Sequence, residues 1–146
     1  MSLHSYSKIL LHIIWETLNR EHILDKKARI LVSKFLFEYC KEKKIFTVTN
    51  FVNPEHVHIL IDLPTNLSVE NCVKLLKGSS SHFINKERLT KNGFSWGRGY
   101  AAFSVSESQR MKVIDYIKNQ ETHHKVRSYT EEYELLIKNH KLQNNS

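Results

Sequence analysis

Two histidines separated by one residue, His56-Val57-His58, stand in the run Asn53-Pro54-Glu55-His56-Val57-His58-Ile59-Leu60-Ile61-Asp62. The run reads as a strand. Side chains alternate across a strand, so His56 and His58 share one face while Val57, Ile59 and Ile61 share the other. Residues two apart lie roughly 7 Å apart along a strand, and imidazoles at that spacing can lean onto one metal ion. The spacing alone leaves a second reading open, a polar sheet face turned to solvent. Zinc is the default ion for imidazole, but Cys40 and Cys72 are not placed to complete a structural zinc site. Asp62 shares the histidines' face, either as a proton acceptor or as a strand-end carboxylate.

A second group is Lys112, Tyr116 and Gln120, four residues apart and so on one stripe of a helix, with His123 or His124 extending it. A tyrosine can be a covalent nucleophile when its phenol is deprotonated or a metal activates its target. Gln120, one turn on, can offer an amide oxygen to the same ion. The pattern equally describes a boundary tyrosine on an amphipathic helix.

Those residues need elements to hold them. Tyr6 to Trp15 reads as a first strand, and Asp25 caps a helix running to about Lys43 with Ala28, Leu31, Val32, Phe35, Leu36 and Tyr39 on one side. Ile45 to Val52 alternates as a second strand, and Asn53-Pro54-Glu55 turns it into the histidine strand. Ser68 caps a helix reaching towards Arg88, weakened in the middle by Gly78 and three serines. Tyr100 to Val105 is a further strand. Ser106 and Gln109 have capping-box spacing before a helix carrying Met111, Val113, Ile114 and Ile117. A short helix around Glu131 to Ile137 ends at a frayed polar tail, 139–146, beyond a single domain of residues 1–138. This order predicts an α+β sandwich with a ferredoxin-like layout, helices packed on a mostly antiparallel sheet.

The chain of 146 residues can bury a real core, and its net charge of +7 favours a polyanionic partner, although basic composition alone names none. Phe94, Trp96, Tyr100 and Phe103 around Arg98 suit either stacking on unpaired bases or core packing. No apolar run is long enough to cross a bilayer and the N-terminus has no signal-peptide pattern, so a cytoplasmic protein with two reduced thiols is expected.

Four pieces stand in one order: Asn53 to Leu60; Leu75-Leu76-Lys77-Gly78-Ser79-Ser80-Ser81; Trp96-Gly97-Arg98-Gly99-Tyr100; and Tyr116-Ile117-Lys118-Asn119-Gln120. The series resembles the single-tyrosine HUH transposases of small bacterial insertion sequences, the IS-two-hundred and IS-six-hundred-and-five group, and their REP-associated relatives. It spans roughly residues 5 to 135. The resemblance implies that His56, His58 and Gln120 bind a divalent ion, Mg2+ or Mn2+. It implies that Tyr116 attacks single-stranded DNA to give a 5′-phosphotyrosine and a free 3′-hydroxyl, so that rejoining needs no ATP. It further implies recognition of subterminal hairpins and a homodimer in which the tyrosine helix often serves the partner's histidines. Arg98, Tyr100 and Lys112 are the candidate DNA contacts. A relative that binds hairpin DNA without cutting is the alternative. A metal hydrolase unrelated to DNA would need a carboxylate cluster, which the sequence pattern does not display.

Overall fold

The computed structural model describes residues 5–120 and 129–144. Four strands, β1 (Leu10–Glu16), β2 (Phe46–Val52), β3 (His56–Asp62) and β4 (Ala101–Val105), form one sheet in the order β2-β3-β1-β4, antiparallel throughout. Helices α1 (Lys26–Glu42) and α2 (Val69–Lys86) connect the strands, and α3 (Arg110–Lys118) and α4 (Tyr129–Asn144) follow β4. This is the expected ferredoxin-like arrangement, and both central strands are buried on both faces.

Local chemistry explains the boundaries. Asp25 accepts from the Ala28 backbone N–H at 2.8 Å, and Ser68 accepts from that of Asn71 at 3.0 Å, so both expected caps form. The hairpin closes through Asn53 N–H to His56 O at 2.7 Å, and its turn is tied to the rest of the chain by Thr17 N–H to Glu55 O at 2.8 Å. α1 and α2 lie against Ile13, Trp15, Val57, Ile59 and Ile61, and Phe35 stacks on Phe83 between the helices at 4.4 Å. α3 covers the opposite face at Leu10 and Leu60, while Tyr133 and Leu136 of α4 pack on Ile14 and Ala101.

Three boundaries differ from the sequence expectation. β1 starts at Leu10, because residues 5–9 are exposed and lack a strand on both sides. Ser106 does not cap; its hydroxyl pairs with Ser108 at 3.1 Å, and a 3-10 turn, Glu107–Gln109, precedes α3. The last helix runs from Tyr129 to Asn144 rather than ending near Ile137. Its outer positions are polar, so apolar spacing alone underestimates its length.

Phe94 and Trp96 belong to the core, where the Trp96 indole donates to Ser80 Oγ at 3.0 Å. Ser80, small and buried in the middle of α2, gives that indole its place. Cys40 and Cys72 are buried free thiols, and burial pushes the Cys72 thiol up to about 11.

Candidate active site

His56 and His58 do share one face of β3, and both are fully buried, which removes the reading of a solvent-exposed polar face. Their Nε2 atoms lie 3.1 Å apart. Each ring is held from behind. His56 Nδ1 meets Glu55 Oε1 at 2.6 Å, and the other oxygen of that carboxylate meets His22 Nε2 at 2.8 Å. His58 Nδ1 meets His12 Nε2 at 2.7 Å. A carboxylate only accepts, so the His56 proton sits on Nδ1 and the Nε2 lone pair faces its neighbour. There the Asn53 amide nitrogen donates to His56 Nε2 at 3.2 Å.

Glu132, at the start of α4, completes the group. Its Oε1 lies 3.0 Å from His58 Nε2, and its Oε2 lies 4.0 Å from His56 Nε2. The donor atoms of His56, His58 and Glu132 fall within 4.8 Å of one another, a buried set able to hold a metal ion. The His56 Nε2 lone pair accepts from Asn53, and the contact between His58 Nε2 and the Glu132 carboxylate requires a proton or a cation between them. The arrangement therefore fits a divalent cation, and the rear contacts of Glu55 and His12 are the outer partners that orient ligating imidazoles.

Tyr116 and Gln120 arrive from α3 and the turn after it. The Tyr116 hydroxyl donates to Glu132, and its ring stands edge-on to His58 with centroids 5.8 Å apart. Gln120 is fully buried, its side-chain oxygen accepting from Asn53 at 3.4 Å and its amide donating to Tyr116 O at 3.2 Å. A single chain thus brings His56, His58, Tyr116 and Gln120 together. Lys112 is exposed two turns before Gln120, and no hydrogen bond or ion pair among the described residues joins it to them. Arg98 and Tyr100 line a separate cleft beside β1. Asp62 is at the far end of β3, where its carboxylate accepts from Ile9 N–H at 2.9 Å; it is a strand-end residue. His123 and His124 lie outside the described residues.

Burial sets the protonation states. Desolvation lowers His56 to about 4, helped by the neighbouring His58 and opposed by Glu55 and Glu132. It also holds His12 well below the ordinary histidine range, with His58 pushing the same way. Both rings are neutral near pH 7, and for His56 that is the form that binds a metal.

Sequence reasoning missed Glu132, Glu55 and His12. The carboxylates absent from the sequence pattern as a cluster come from a turn and a distant helix. His12 had a usable signal, since alternation along β1 sets it beside Ile14 on the site's face.

Comparison with known proteins shows the fold and the family. A solved chain from Deinococcus radiodurans R1, assigned as a transposase, superposes with a TM-score of 0.64 at 24% identity, covering 82% of this chain and 96% of that one. A REP-associated tyrosine transposase, solved bound to a REP hairpin, gives 0.60 at 15% identity over 85% of this chain and 74% of its own. These two likenesses speak to the fold. In sequence, the ISDra2 transposase TnpA of Deinococcus radiodurans is 27% identical over 114 residues, 75% of this chain and 81% of that protein. The transposase for insertion sequence element IS200 of Salmonella typhimurium is 28% identical over 114 residues, 75% of this chain and 74% of the relative. The family model for IS200-like transposases matches residues 5–120, and the chain belongs to that family.

Proposed function

We propose that this chain cleaves and rejoins single-stranded DNA through a 5′-phosphotyrosine formed on Tyr116. The observation that carries the reading is one contact chain: the Tyr116 hydroxyl donates to Glu132, whose carboxylate lies 3.0 Å from His58 Nε2. A nucleophile, a proton acceptor and a pair of imidazoles meet on one face of one sheet.

Tyr116 Oη attacks the scissile phosphorus, and its proton passes to Glu132, the carboxylate it already faces. The bond from phosphorus to the 3′ oxygen breaks, and that oxygen leaves as a 3′-hydroxyl after taking up a proton. The 5′ phosphate stays on the tyrosine. One ester replaces another, so a 3′-hydroxyl can reverse the step without a nucleotide cofactor. His56, His58 and the Gln120 amide oxygen would hold the divalent ion, with Glu132, near enough to ligate, taking the tyrosine proton instead; when bound the ion polarises the phosphate and offsets its developing charge. Mn2+ suits two imidazoles and oxygen donors better than Mg2+, which prefers oxygen alone. Glu55 keeps the His56 proton on Nδ1 with Nε2 turned into the site, and His12 holds the His58 ring from behind.

The substrate we assign is single-stranded DNA carrying a hairpin; the REP-associated relative was solved bound to a REP hairpin. The net charge of +7 supports a polyanion. A DNA substrate assigns the protein to the cytoplasm, and no helix among the described residues is long and apolar enough to cross a membrane. Excising an element takes two cleavages, so the reading includes a two-fold homodimer.

The test uses 3′-labelled hairpin oligonucleotides from the DNA flanking the gene, with Mn2+. The expected result is a denaturant-stable protein–DNA band with single strands and none with perfect duplex. Tyr116→Phe is expected to bind and give no band. Wild-type protein that binds the hairpin and never forms the band would leave a binding-only relative.

A further inference from the structure

The sheet register sets a second polar cleft beside the histidines. Ile14 pairs with His58 and Glu16 with His56, so Ile14 and Glu16 share the site's face, one strand over. β4 begins at Ala101, opposite Ile14, and the chain before it swings outwards. The gap is a cleft of about 500 Å³, open mouth included, lined by Ile14, Glu16, Arg20, Arg98, Tyr100 and Tyr133.

Its walls are fixed in place. Lys77 Nζ donates to Gly97 O at 2.7 Å and to Gly99 O at 3.0 Å, pinning the loop that carries Arg98 and Tyr100. Gly97 passes so close to β1 that a Cβ would meet Thr17 O at 3.2 Å, and Gly99 has φ +84°. On the other wall Arg20, like its neighbour Asn19, adopts a positive φ, 56° against 57°. Arg20 is then held by Glu16 at 2.9 Å and by Thr130 Oγ1 at 2.8 Å.

We infer that this cleft receives one unpaired base of the DNA strand, beside the nucleotide whose phosphate is attacked, and that Glu16 favours a base bearing an amino group over thymine. The inference rests on the proposed cleavage reading. Tyr100, 40% exposed, offers a ring for stacking, and Arg98 a cation for the adjoining backbone. Two arginines against one glutamate suit an anionic strand. A carboxylate can only accept, so it pairs with the amino group of guanine, adenine or cytosine, whereas the one donor of an unpaired thymine, N3–H, lies between two carbonyl oxygens that the carboxylate opposes.

The test measures binding of hairpin oligonucleotides from the flanking DNA to Tyr116→Phe protein, which isolates binding from cutting. Each position around the cleavage point is replaced in turn by an abasic site and by thymine. One position is expected to lose about tenfold in affinity when abasic, and thymine there is expected to bind as poorly. Adding Glu16→Gln, whose amide offers a donor as well as an acceptor, should abolish the discrimination against thymine. Adding Tyr100→Ala should weaken the natural strand about tenfold and leave the abasic strand unchanged. Equal affinity at every position overturns the inference, as does a Tyr100→Ala loss that is the same on abasic DNA. Failure of the cleavage reading shows separately, as absence of the covalent band with wild-type protein.

Discussion

The two faces of β3 are equally buried and chemically opposite. On one, Val57, Ile59 and Ile61 meet the apolar sides of α1 and α2. On the other, His56 and His58 meet Glu55, His12, Asn53 and Glu132. Burying apolar surface stabilises the fold with no further condition, whereas burying imidazoles costs stability unless every nitrogen finds a partner. The chain meets that condition with groups from β1, the hairpin turn and α4. Such an arrangement is expensive for stability alone, which is the physical reason to look for chemistry there.

Substitutions should separate the faces. Ile59→Ala is expected to destabilise by about 3 kcal/mol, through lost burial and the cavity left behind, read from denaturant unfolding. The protein that remains folded should still form the covalent band. Glu132→Gln should do the reverse, slowing band formation by about a hundredfold with little loss of stability, since it keeps shape and removes the proton acceptor. Equal damage to stability and rate by either variant would erase the distinction.

Acid should strike the histidine face first. His56 is depressed to about 4 in the folded chain against 6.5 when unfolded, so between those values the unfolded chain binds the extra proton. Stability is full above pH 6.5 and falls as pH drops towards 4, by at most about 1.4 kcal/mol per unit from this group. Unfolding of chelator-treated protein across that range checks the slope. His56→Asn should flatten it, and an unchanged slope would contradict the assignment of the neutral ring.

Much of this was legible from local pattern. Alternation around His56-Val57-His58 assigns the faces correctly, the Asp25 and Ser68 caps form as read, and Tyr116 and Gln120 stand one turn apart in the site. The rest depends on tertiary placement. Glu132 has acidic neighbours at Glu131 and Glu134, and only the docking of α4 distinguishes it. Glu55 precedes the strand, and the turn geometry, not alternation, brings its carboxylate to His56. Ser106 shows the opposite failure: cap spacing is present, but a 3-10 turn and Ser108 take its hydroxyl.

The most direct test of the central claim is to map the attachment point of the DNA. The chain has six tyrosines, and Tyr133 lies on α4 close to the same face, so the map discriminates. Digestion of the covalent complex followed by mass spectrometry should find the phosphonucleotide on Tyr116 alone. Attachment to Tyr133 or to any other residue would contradict the account.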